Sequence, residues 1–111
     1  EDKTMAIIAQ FINGDTKAVN ILAENSADYH LALAGMYGFY YLKVAQENKD
    51  FEQALALMSV AKKAINNPML DMQIAKTQHK LGKVNEAKQT LTELLAAKPE
   101  HQAAKALLST L

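Results

Sequence analysis

Two segments of the chain, KDFEQALAL (49–57) and KVNEAKQTL (83–91), superpose with a one-residue shift, and this recurrence constrains the fold more than any other feature. Phe51 falls on Val84, Ala54 on Ala87, Met58 on Leu91 and Ala61 on Leu94, all at a spacing of 33 residues. Upstream, NGDTKAVNIL supplies Ala18 and Leu22 as counterparts of Ala54 and Met58, at a spacing of 36. A period near 34 with helical spacing inside each unit means stacked helix pairs, because one pair alone cannot bury its apolar face.

The apolar pattern is helical throughout, and no segment alternates as a strand does. Met5, Ile8, Phe11 and Ile12 share a face of a first helix, which NGD (13–15) ends. Ala18, Ile21 and Leu22 mark a second helix. Asn25–Ser26 offers an N-cap for a long third one from Ala27 to about Gln46. NKD (48–50) breaks it, and a fourth helix runs from Phe51 to about Ile65. NNP (66–68) combines a C-cap with a Pro suited to a first turn. A fifth helix reaches about Leu81, a sixth spans 84–97, and a last one carries Ala103, Ala104, Leu107 and Leu108 to the C-terminus.

The third unit, Pro68–His101, resembles the tetratricopeptide repeat. That family sets a large, then a small, then an apolar residue on a first helix. A Gly turn, a small residue in the second helix and a closing Pro follow. Ile74, Ala75, Gly82, Ala87, Leu91 and Pro99 fill those places, and Met5, Ala6, Ala9 and Ala18 fill them more loosely in the first unit. In the second unit Lys49 stands where Gly is usual and Leu42 where a small residue is usual, and three extra residues lengthen the first helix. The resemblance implies an all-α domain of antiparallel helix pairs, stacked as a short right-handed superhelix. Its units are about 1–26, 27–67 and 68–101, with 102–111 as a capping helix.

What the resemblance implies about function is protein–protein interaction, without catalysis. First helices of successive units would line a concave face that takes an extended peptide. Mapped onto this chain, that face presents Met36, Phe39 and Lys43, then Met69, Met72, Lys76, His79 and Lys80. Residues 69, 72, 76 and 80 also share a stripe by helical spacing alone. Met gives an adaptable apolar lining and Lys attracts carboxylates, so an acidic peptide suits the face. A chaperone-type carboxylate clamp does not: its places hold Tyr40, Gln73 and Met69, and the chain has no Arg.

Composition removes other classes. Twelve cationic side chains, all Lys, balance twelve acids, so no net field favours nucleic acid or a membrane surface. Without Cys there are no disulfides and no thiolate metal sites, and the chain suits a reducing or an oxidising compartment alike. His30, His79 and His101 sit on separate helices without metal-ligand spacing, and the carboxylates cluster at helix starts, where the helix dipole accounts for them. Neither a metal nor a cofactor is therefore expected. The segment YHLALAGMYGFYYLKVA (29–45) holds all four Tyr, yet it is too short and too polar for a membrane span of about 20 apolar residues. It reads as a central helix packed through Ala34, Gly35 and Gly38. Alternatively, its aromatics hold a second copy of the chain. The start at Glu1 rather than Met suggests a processed chain or a domain of a larger protein, in which self-association through 29–45 would serve assembly.

Overall fold

The computed structural model describes residues 2–111, the side chain of Asp2 excepted, and every regular element among them is helical. Seven α-helices follow one another: α1 (Asp2–Ile12), α2 (Ala18–Glu24), α3 (Leu31–Val44), α4 (Asn48–Ala61), α5 (Pro68–Lys80), α6 (Val84–Ala97) and α7 (Gln102–Ser109). A single 3-10 turn, Ser26–Asp28, precedes α3. Contacts divide the chain into two compact units that meet at Asn66 and Asn67.

In the first unit α1 packs on α2 and α3 on α4, with further contacts between α1 and α3 and between α2 and α4. The buried stripe of α1 is Thr4, Ile8 and Phe11, spaced four and three residues apart. Met5, expected in that stripe, is exposed; it lies one position beside Thr4, whose hydroxyl accepts the backbone N–H of His30 at 3.1 Å. Helix α1 stops at Gly14, whose φ of +113° a side chain would strain, and the Asp15 N–H returns to the Gln10 carbonyl at 2.9 Å.

Helix α3 is shorter than its apolar run suggests. Tyr29 is extended, and the N–H of His30 is spent on Thr4 rather than on a preceding turn, so the helix begins at Leu31 and not at Ala27. Asn25 does not cap it: its side chain donates back to the Ile21 carbonyl at 3.1 Å, tying off α2. At the far end Ala45 is extended and Glu47 precedes α4, which starts at Asn48 with Asp50 in its first turn. The NKD segment therefore begins a helix instead of breaking one. Helix α4 ends at Ala61, four residues early, because Lys63 and Ala64 turn back onto Val60 and Ala61 through short i→i+3 bonds.

The approach of α3 to α4 is set by Gly38. A β-carbon there would lie 2.6 Å from Met58 Cγ and 3.2 Å from the Ala54 carbonyl oxygen. The small residue of this hairpin thus sits one turn before Leu42, the position that the repeat alignment assigns to it. Ala34 and Gly35 continue the buried face, and Leu57, Met58 and Ala61 complete it from α4.

In the second unit α5 packs on α6 and α6 on α7. Asn67 is the N-cap of α5, accepting the Met69 N–H at 2.9 Å, with Pro68 in the first turn; it is not a C-cap of the preceding helix. Gly82, at φ +79°, turns the chain as Gly14 does, and Lys83 N–H closes on the Gln78 carbonyl at 2.8 Å. The core joins Met72 and Ala75 of α5, Leu91 and Leu94 of α6 and Ala104 of α7, with Leu95, Leu107, Leu108 and Leu111 against it. Helix α7 therefore covers the apolar side of the last pair, as a terminal helix of a repeat array must. Its first turn is capped by His101, whose Nδ1 accepts the Ala104 N–H at 3.1 Å.

Candidate interaction surfaces

In the first unit α3 has two working sides. One side, with Gly35 and Gly38, is sealed against α4. The other carries Met36, Tyr40 and Val44 at intervals of four residues, and all three are exposed, Met36 by 64% and Tyr40 by 58%. Facing them from α1 is Met5. Together with Leu33 and Tyr37 these side chains line an open hollow of about 330 Å³. The lining is two thioethers, one Leu and two phenol rings, and it holds no charged group. Large apolar side chains exposed together on one face, rather than scattered singly, are what interaction surfaces present.

Charge enters at the margin. Lys43, the only charged residue of α3, stands in its last turn, three positions after Tyr40. Lys3 of α1 sits with its ammonium 5.0 Å from the centre of the Tyr29 ring. The acid closest along the chain to Lys43 is Glu47, and Asp50 accepts the Gln46 N–H at 3.3 Å. Tyr41, edge-on to Tyr40 with ring centres 6.2 Å apart, has its hydroxyl pKa pushed up by burial, by the Asp50 charge and by Tyr40.

The second unit offers a different surface. Met69 is exposed in the first turn of α5, and Lys76, His79 and Lys80 are exposed further along. Thr77 and Thr90, both buried, are bonded locally: Thr77 to the Gln73 carbonyl at 2.7 Å, Thr90 to Gln78 Oε1 at 2.8 Å.

A family model described as tetratricopeptide repeat matches residues 45–111, more than half of the chain. The chain belongs to the tetratricopeptide repeat family. No curated protein and no solved structure matches it. The matched span holds α4 to α7, and the Gly82 turn and the Ala54 and Ala87 approaches are the family's pattern in physical form.

Each of α1, α3 and α5 precedes the helix it packs on, α2, α4 and α6. Of the eight residues expected on their binding face, Met36, Lys43, Met69, Lys76, His79 and Lys80 are exposed. Phe39 is half-buried and lies outside the lining of the hollow. Met72 is 93% covered and belongs to the core, in one cluster with Ala75, Leu91, Leu94 and Ala104. Met5, Leu33, Tyr37 and Tyr40, which line the hollow, were not among those eight residues. The signal for three of them was present, since 33, 37 and 40 follow the i, i+4, i+7 rule on α3. Met5 could not be read that way, because it meets the others only through the packing of α1 on α3. No helix among the described residues is long and apolar enough to cross a membrane.

Proposed function

We propose that this tetratricopeptide repeat domain is a non-enzymatic module that binds a peptide or a partner surface on the faces of its first helices. In the first unit the binding face is the exposed side of α3 with α1, where Met36 and Lys43 meet the solvent and Phe39 forms the border. In the second it is the exposed stripe of α5, with Met69, Lys76, His79 and Lys80. The observation that carries this reading is the open apolar hollow between α1 and α3. In a family of interaction modules, a first-helix face that leaves Met36 and Tyr40 largely in water is best accounted for by a partner that covers them.

A pull-down from the source cell's lysate tests it. The bait is the wild-type domain against a Lys43→Glu/Lys76→Glu double variant of unchanged helicity. A specific protein retained by the first and lost from the second supports the reading. Identical sets on both baits, or only further copies of the domain's own parent protein, would remove it.

The Met36, Tyr40 and Val44 stripe also favours a second reading, in which the α3 face pairs with its own copy and serves assembly. Light scattering separates the two: a monomer at high concentration excludes self-association.

A further inference from the structure

We propose that the hollow between α1 and α3 is an anchor pocket for a partner segment that inserts one bulky apolar side chain and sets a carboxylate against Lys43. This rests on the reading of the first-helix face as the binding face, and it names the partner's chemistry.

The lining decides the first half. Leu33, Met5, Met36 and the rings of Tyr37 and Tyr40 offer no charge, so a polar group inserted there would lose its water without gaining a partner. At about 330 Å³ the hollow lies at the small end of the ~300–1,000 Å³ range of ligand pockets, so it admits a Leu- or Phe-class side chain but not an extended apolar surface. The two thioethers can shift rotamer to close on either shape, while the two rings give flat walls.

The margin decides the second half. Helix α3 carries one charged residue, the cation Lys43, while α1 opens with the opposite pair Asp2 and Lys3. Lys3 already lies over the Tyr29 ring. Lys43 is exposed, one turn from Tyr40 and two from Met36 along α3, and the carboxylate of Asp50 is turned to the Gln46 N–H. A partner residue next to the anchor can thus set its carboxylate on Lys43, which favours Asp, Glu or a chain-terminal carboxylate and disfavours Lys or Arg.

A random peptide display library tests both halves. It is selected against the wild-type domain, a Met36→Ala/Tyr40→Ala variant and a Lys43→Glu variant. All three substituted side chains are solvent-exposed, and circular dichroism verifies the fold. The expected result is a set of peptides sharing one large apolar residue with an acid a few positions away. Their affinity should fall about tenfold or more in Met36→Ala/Tyr40→Ala, and similarly in Lys43→Glu, a loss of about 1.4 kcal/mol per tenfold. On binding, the methyl signals of Met5 and Met36 should move in the carbon–proton NMR spectrum, while that of buried Met58 should not. Peptides that need Met36 and Tyr40 but show no acidic preference would overturn the inference and leave the binding face standing. Peptides indifferent to Met36→Ala/Tyr40→Ala, or a face already occupied by a second copy of the chain, would overturn both.

Discussion

The two units solve the same packing problem with different means. In the hairpin of α5 and α6 the small residues are alanines, the turn is a glycine in the left-handed region, and α7 finishes the core. In the hairpin of α3 and α4 the closest approach is made at Gly38, the connection has no glycine, and the far side of α3 stays open. The difference is instructive because the second unit spends its apolar surface on itself. Met72 and Leu94 are buried there in one cluster with Ala104 of the capping helix. The first unit retains Met5, Met36, Tyr40 and Val44 outside, and that surplus is what a partner can use.

The largest effect should come from emptying either core. Leu57 of α4 and Leu91 of α6 are both fully buried, and truncating either to Ala should cost roughly 2–5 kcal/mol. In a repeat fold the damage should be local, since each pair depends mainly on its neighbours. Amide hydrogen exchange on Leu91→Ala should therefore lose protection first in 67–111, and on Leu57→Ala first in the preceding helices. An even loss along the whole chain in both variants would make the protein one cooperative block and dissolve the contrast between the units.

A smaller effect separates the two ways of bringing helices together. Gly38→Ala places a β-carbon 2.6 Å from Met58 Cγ and near the Ala54 carbonyl, where something must move. Overpacking of this kind costs roughly 1–3 kcal/mol, against the about 1 kcal/mol that Ala gains over Gly in a helix interior. A net loss of up to about 2 kcal/mol is expected from denaturant unfolding. Gly35→Ala is the control: its β-carbon would stand 3.3 Å from Ala61 Cβ, so the two terms should nearly cancel. If both variants are stabilised alike, Gly38 does not set the distance of α3 from α4.

This contrast also marks what could be read from residues alone. The seven helices and their pairing follow from apolar spacing and from Gly and Pro punctuation, because those signals are local. The second unit was legible down to its small residues, since Ala75 and Ala87 stand where the repeat places them. Helix ends in the first unit were not, because they depend on tertiary bonds: Thr4 takes the N–H of His30 from 26 residues away in the chain. Gly38 was recognisable as part of a small face, but not as the residue in the place assigned to Leu42. Met36 and Lys43 were named from the residues alone, and both are exposed on α3. The hollow was not anticipated, since Met5 reaches it from another helix. Met72 was placed on the binding face, whereas it is buried in the cluster that joins α5, α6 and α7, a matter of tertiary packing.

The smallest effect tests how α3 ends beside α4. Tyr41 titrates above its ordinary value near 10, first because burial disfavours the phenolate, then because Asp50 and Tyr40 oppose it. A group whose acid form is favoured in the folded state binds its proton more tightly there than in the unfolded chain. Its contribution to stability is therefore complete below the unfolded value and is lost as pH rises through the folded one. Tyr41→Phe keeps the ring and removes the titration, so its stability should fall less steeply above about pH 10 than that of the wild type. Lysines that lose charge in the same range are common to both proteins and cancel in the difference. Asp50→Asn should bring the tyrosinate absorbance titration of Tyr41 part of the way back, leaving the share due to burial. Superimposable alkaline limbs for wild type and Tyr41→Phe would mean that this hydroxyl is as well solvated in the fold as out of it. The junction of α3 and α4 would then be as open as the hollow on the other side of the helix.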